Sequence, residues 1–264
     1  MTKIMKLFSM SVMLGSLLLL ASCASDTTNV RKSTSEADLR SASEVNVQLA
    51  VGYIKREQYQ VAKEKLEKAI EQNDENIDAY KMMAYLMGLI DKPEEAEEYY
   101  EDALSIKDDD PEIHNSYGAF LCGQDRAEEA QEQFQLAYEN PFYKTRYLAY
   151  SNAGTCLIKA GEYKQAESLL RRALQDQPKL QSALLSMAEV GVRAEKYLMA
   201  RAYIQRYHAD NEPSAESLWL EMQAEKALGS RKHYVEAALK LLELYPDSQQ
   251  AGEVEESVRN ERTR

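Results

Sequence analysis

Five alanines set a period along this chain. Ala62, Ala96 and Ala130 lie 34 residues apart, Ala166 follows 36 on, and Ala200 stands another 34 beyond. Their neighbours repeat with them. Four residues after each comes a large apolar residue: Leu66, Tyr100, Phe134, Leu170 or Ile204. Seven after come Ala69, Ala103, Ala137 and Ala173, with Tyr207 breaking the series. Twelve before each comes a small residue: Ala50, Ala84, Gly118, Gly154 or Ala188. A fixed period of this length means a repeat architecture. Apolar residues every three or four positions define two amphipathic helices per unit. Small residues where helices cross let the backbones approach, and the bulky positions fill the remaining space. One such hairpin cannot bury its own apolar face, so successive units must stack. Ten Gly and six Pro in 264 residues agree with a helical chain, since β-rich folds use more turn residues.

The pattern resembles the tetratricopeptide repeat, a helix–turn–helix with small residues at positions 8 and 20. That resemblance implies an all-α, right-handed tetratricopeptide-repeat solenoid of about six units. The repeats fall at 43–76, 77–110, 111–146, 147–180, 181–214 and, in degenerate form, 215–246. Turn residues mark Asp91-Lys92-Pro93 and Gly161-Glu162-Tyr163, and Pro178 stands where one repeat ends. The third repeat carries its two extra residues near Asn140-Pro141-Phe142-Tyr143. Leu218, Trp219 and Leu220 anchor the sixth pair, which is expected to lose register after Gly229 through a longer turn. The charged segment 247–264 is expected to fray.

The N-terminus carries a different signal. Lys3 and Lys6 precede an apolar stretch from Leu7 to Ala21. It is shorter than the ~20 residues that cross a bilayer, and it reads as an export signal over 1–22. Leu20-Ala21-Ser22-Cys23 resembles the bacterial lipobox. That likeness implies cleavage before Cys23 and a diacylglycerol on its sulfur; an ordinary secretory signal with an incidental cysteine is the alternative. Acyl chains contribute ~0.8 kcal/mol per buried methylene, so two or three of them make a lasting anchor. Ala24 replaces the Asp that retains such proteins at the inner membrane, which points to the periplasmic face of the outer membrane. Eight of the twenty residues 24–43 are Ser or Thr. Segment 23–42 is therefore expected to be a flexible tether.

Composition excludes several function classes. With 32 Lys+Arg against 44 Asp+Glu, the chain has a net charge of −12, and phosphate backbones are repelled. Nucleic acid is not an expected partner. Three His and three Cys are too few and too scattered for zinc or haem, so no metal and no cofactor beyond the covalent lipid is expected. His114, His208 and His233 lack metal-ligand spacing and read as solvated or packing residues. Glu94, Glu95, Glu97, Glu98, Glu101 and Asp102 crowd one helix, as a solvated face or a contact for a basic partner. No Gly-rich phosphate loop and no catalytic set is present, so neither an enzyme nor a small-molecule substrate is expected. Cys122 and Cys156 fall at positions 12 and 10 of consecutive first helices, which lie side by side in such a solenoid. Pairing in the oxidising periplasm is one reading; two buried thiols acting as small apolar residues is the other.

The concave face of a tetratricopeptide solenoid is lined by positions 2, 5, 9, 12 and 13 of each first helix. Val47, Val51, Ile54, Tyr85 and Leu89 then make an apolar partner-binding groove for an amphipathic helix or apolar peptide. Cover by the tether or a neighbouring side chain is the alternative. Val47 and Val51 stand where carboxylate-clamp adaptors carry Lys and Asn, which argues against recognition of a free C-terminus. Longer strings point further. Asn115-Ser116-Tyr117-Gly118-Ala119-Phe120-Leu121-Cys122 is similar to the N-N-Y-G-x-F-L-C of type IV pilus biogenesis lipoproteins of the PilF/PilW type. Asn140-Pro141-Phe142-Tyr143, Asn152-Ala153-Gly154-Thr155-Cys156, Glu216-Ser217-Leu218-Trp219-Leu220 and Tyr245-Pro246-Asp247-Ser248 resemble their other strings in the same order. Ser116 and Tyr245 depart from the pattern, which has Asn and Phe there. The resemblance implies an outer-membrane pilotin that binds type IV pilus secretin subunits through its early repeats and promotes their localisation and multimerisation. A lipoprotein scaffold for cell-wall enzymes or envelope assembly would use the same fold and anchor.

Overall fold

The structure is a computed structural model that describes the backbone of residues 26–262 and the side chains of residues 36–255. The expected signal peptide and Cys23 lie outside the described residues. Within them the chain forms thirteen helices and no strand. The first four are α1 (Asp26–Ile54), α2 (Tyr59–Gln72), α3 (Ile77–Leu89) and α4 (Pro93–Ile106). Then come α5 (Pro111–Gly123), α6 (Ala127–Glu139), α7 (Arg146–Lys159), α8 (Tyr163–Asp176) and α9 (Gln181–Arg193). The last four are α10 (Tyr197–His208), α11 (Ala215–Ala227), α12 (Arg231–Leu244) and α13 (Gln249–Arg262). The chain divides within α4 into two compact units, Met1–Tyr99 and Tyr100–Arg264.

Every hairpin reverses direction through one residue at positive φ. These are Glu57 (58°), Asp91 (59°), Asp125 (58°), Gly161 (81°), Glu195 (58°) and Gly229 (69°). That conformation costs a side-chain-bearing residue about 1–2 kcal/mol, and two of the six positions are glycine. Gly229 follows Glu195 by the usual 34 residues. The sixth turn is therefore as long as the others, contrary to the sequence expectation. What departs is the helix crossing. Met222 and Tyr234 occupy the places that Gly or Ala fills in the other five pairs, and the apolar core of this pair gathers round Leu218, Met222, Ala237, Ala238 and Leu241.

The crossings explain the small residues. A Cβ on Gly118 would lie 2.8 Å from Phe134 Cδ1, and one on Gly154 would lie 2.6 Å from Leu170 Cγ. Each glycine sits under the large residue that follows the periodic alanine, while Ala130 and Ala166 bring their own helix close from beneath. Gly191 is tighter still: its Cβ would meet the Ala200 backbone N at 2.6 Å and Cα at 2.9 Å. In the second unit Leu170, Leu184, Met187 and Ile204 are buried in the largest core cluster. Tyr100 stacks on Tyr117 at 5.1 Å between ring centroids.

Two terminal expectations are corrected. Residues 26–42 are helical rather than an irregular tether, because α1 runs unbroken to Ile54. From Ser43 onward this helix is held in place: Ser43 Oγ donates to the Ala69 carbonyl at 2.7 Å, and Asn46 Nδ2 donates to Gln72 Oε1 at 2.8 Å. Segment 26–42 holds no Gly or Pro, and extending a formed helix costs little compared with starting one. At the other end, 247–264 does not fray from its start. The Ala251 N–H donates to Ser248 Oγ at 3.2 Å, capping α13. Ala251 and Val254 are buried, with Val254 in the core of the α11–α12 pair. Three residues apart on one face, they cover the apolar surface that the last hairpin cannot bury itself, as terminal elements of repeat arrays must.

Adding one methyl group tests whether the crossings are tight. Gly191→Ala is expected to destabilise the second unit by about 1–3 kcal/mol, because rigid backbone has to move. Gly252→Ala, whose Cβ meets nothing within 4 Å, is expected to stabilise α13 by about 0.5–1 kcal/mol. Urea unfolding followed by circular dichroism reads both; equal effects would show that the crossing is not close-packed.

Candidate functional site

The expected apolar groove maps onto the first unit, where α1 and α3 pack side by side. Tyr85 and Leu89, one turn apart on α3, are 47% and 43% exposed. Val51 and Ile54 on α1 are half-buried. Val47 differs: at 9% exposure it belongs to the core. It lies one turn ahead of Val51 on nearly the same helix face, but neighbouring side chains cover it, so it offers little surface. On other faces of α1, Leu39, Val45 and Leu49 are exposed as well. Of the five expected positions, Val51, Ile54, Tyr85 and Leu89 thus keep part of their side chains exposed. Lys81, whose Nζ lies 2.8 Å from Asp78 Oδ1, gives the strip a polar neighbour.

In the second unit the structure brings Cys122 and Cys156 together as a disulfide, with Cα atoms 5.8 Å apart, linking α5 to α7. It belongs to a ladder across successive first helices. Asn152 Nδ2 donates to Asn115 Oδ1 at 3.0 Å; Ser151 and Ser182 hydroxyls pair at 2.9 Å, as do those of Thr155 and Ser186. The inserted residues of the third repeat form a turn in which the Phe142 N–H donates to Asn140 Oδ1 at 2.9 Å, and Phe142 is 88% exposed.

The histidines are engaged structurally. His114 is buried between Gln133 Oε1 at 2.7 Å and the Asp108 carbonyl at 2.9 Å. His208 Nε2 lies 2.9 Å from Ser217 Oγ, and its Nδ1 lies 3.8 Å from Glu221. This has the order of a catalytic triad, which the sequence spacing did not suggest, but not its chemistry. Ser217 is fully buried. Its hydroxyl accepts from the Ser214 N–H at 2.8 Å and donates to the Ser214 carbonyl at 3.0 Å, as part of the cap of α11. With its one proton committed, Ser217 has none to give the imidazole and no path to a substrate. Burial, with Lys240 nearby, also pushes the His208 pKa down. Among the described residues no cluster of His, Cys, Asp and Glu has a metal-binding arrangement, and no helix is long and apolar enough to cross a membrane.

A buried ion pair closes the array near its end. Glu225, 3% exposed, accepts two hydrogen bonds of 2.6 Å from the Arg201 guanidinium. Burial pushes its carboxyl up, but the hydrogen bonds from Arg201 and Ser230 outweigh this and hold it below the ordinary carboxylate range.

Stacked helical hairpins of this period, with small residues at their crossings, describe a helical repeat scaffold. The tetratricopeptide-repeat family model matches residues 53–115. Type IV pilus assembly protein PilF of Pseudomonas aeruginosa is 28% identical over 207 residues, covering 78% of this chain and 82% of that protein. The crystal structure of PilW, described as a widely conserved type IV pilus biogenesis factor, has a TM-score of 0.74 at 32% identity. The match covers 80% of this chain and 97% of PilW. The structure of Pseudomonas aeruginosa PilF has a TM-score of 0.71 at 27% identity, with 83% and 99% covered. The chain belongs to the tetratricopeptide-repeat family of PilF- and PilW-type type IV pilus biogenesis proteins. Members of this scaffold family typically act by binding other proteins.

Two consequences can be measured. The Cys122–Cys156 bridge closes a 34-residue separation, for which chain entropy gives about 4 kcal/mol; Cys122→Ala with Cys156→Ala is expected to lose most of it in denaturant unfolding. For Glu225, a lowered folded pKa means that its stabilisation is fully present above the unfolded value near 4.3. It is lost as pH falls through the lower folded value. Glu225→Gln is therefore expected to cost about 1.5–3 kcal/mol at pH 7 and to flatten the acid limb of the melting temperature between pH 5 and pH 2. An unchanged acid limb would remove Glu225 from that role.

Proposed function

We propose that this protein is a non-catalytic pilotin lipoprotein of type IV pilus biogenesis. Lipidated at Cys23, it binds secretin subunits and promotes their localisation to the outer membrane and their multimerisation. The observation that carries this reading is the likeness to PilW and PilF over nearly the whole described array, together with an apolar strip in the first unit. Val51, Ile54, Tyr85 and Leu89 provide a surface into which an amphipathic secretin segment can lay its apolar face. Truncating or charging the exposed members removes that contact without disturbing the core. The lipid supplies the address, and the repeats supply a rigid surface whose ordering entropy has already been lost on folding, which favours affinity.

Deletion of the gene, with membranes probed for heat-resistant secretin multimers, tests the role. Multimers are expected to vanish or to remain in the inner membrane while monomer persists. Complementation with Cys23→Ala is expected to leave multimers out of the outer membrane. Leu89→Asp and Tyr85→Ala are expected to weaken secretin binding at least tenfold, one buried side chain of ~1.5–3 kcal/mol each, with helical content unchanged. Normal multimers in the deletion strain would refute the secretin role, and full binding by both variants would remove this groove from it.

A further inference from the structure

A second groove lies in the other unit, between the first helices α9, α11 and α13. It encloses about 650 Å³, with Val192, Tyr197, Trp219 and Leu220 among its walls and Glu189, Glu216 and Glu253 contributed by the three different helices. Two cations, Arg193 and Lys226, line it as well, and both are engaged. Arg193 lies 3.4 Å from Glu189 on its own helix, and the Lys226 ammonium stands 5.7 Å from the Tyr234 ring centroid. Gln249 donates to Glu253 at 3.3 Å. At Glu216 partial loss of surrounding water pushes the carboxyl up, and Glu189 pushes it the same way. A cation placed between these two carboxylates relieves both effects. Trp219 packs against the core of the last hairpin and lines the groove as well.

We propose that this groove receives a peptide segment of a partner protein, an arginine of which enters between Trp219 and the carboxylates of Glu216 and Glu189, while flanking apolar side chains lie on Val192 and Leu220. The chemistry selects this occupant. A guanidinium stacks on an indole face and forks to carboxylates through paired hydrogen bonds, and its planar shape suits a slot better than an ammonium does. An acidic peptide would meet three glutamates against two cations that already have partners, so the charge balance disfavours it. The apolar wall gives the flanking residues somewhere to be buried, so the site reads sequence rather than charge alone.

Trp219 is the only tryptophan of the chain, so intrinsic fluorescence reports this groove directly. The full chain is titrated with a blocked heptapeptide alternating leucine with arginine, and with the same peptide carrying glutamate for arginine. A saturable change is expected with the arginine peptide and none with the glutamate peptide. Glu216→Gln is expected to weaken the arginine peptide about tenfold, the loss of one charge-assisted contact. Equal responses to both peptides, or unchanged affinity in Glu216→Gln, would overturn the proposal. So would a fluorescence change on raising protein concentration alone, which would make a second copy the occupant. Leu89→Asp, in the first unit, is expected to leave the titration unchanged; loss of the response there would overturn a separate site without bearing on secretin.

Discussion

Within each of the first five hairpins, the distance between two helix backbones is set by a residue with little or no side chain. Gly118 lies under Phe134 and Gly154 under Leu170 so closely that a single added carbon would come within 3 Å of a neighbour. Much follows from this approach. It lets Phe134 and Leu170 be fully buried, which is where most of the hydrophobic stabilisation of a hairpin comes from. It also sets the first helices side by side, so that residues on consecutive ones can be bonded. Where Met222 and Tyr234 replace the small pair, the core relies instead on Ala237, Ala238 and Leu241, and α13 contributes Val254 to complete it.

Bonding between first helices is concentrated in the third to fifth repeats. Asn115 to Asn152, Cys122 to Cys156, Ser151 to Ser182 and Thr155 to Ser186 tie α5, α7 and α9 together. Several of these residues lie in the strings that carry the likeness to pilus biogenesis proteins. Their role here is packing: Tyr117 stacks on Tyr100, Gly118 admits Phe134, and Ser217 caps α11. The exposed apolar strip on α1 and α3 lies outside those strings.

Much of the architecture was legible in the order of residues, because a repeat states the same structural rule several times. Alanine at 34-residue spacing, flanked at fixed offsets, leaves helical hairpins as the one arrangement that buries every copy. The errors fall where the rule is stated once or weakly. Segment 26–42 has the composition of a tether, yet it continues a helix fixed at Ser43, and composition does not register that continuity. The pair Ala251 and Val254 is too brief a pattern to announce a helix, and only the open apolar end of the last hairpin gives it meaning. Val47 matches a groove position by number and shares a helix face with Val51, yet it is buried, because burial depends on which neighbours pack over a position and not on register alone.

What the sequence determined by itself is the helical hairpin, its period and the small residues at its crossings, since these follow from local periodicity and volume. It also named both cysteines of the bridge. Only the tertiary structure decided which thiols and polar side chains meet, because residues 30 or more positions apart become neighbours through stacking alone. It also decided that Trp219, Glu189, Glu216 and Glu253 line one groove. Side chains on three separate helices share a site only once the helices are packed, and no local pattern in the chain records that juxtaposition.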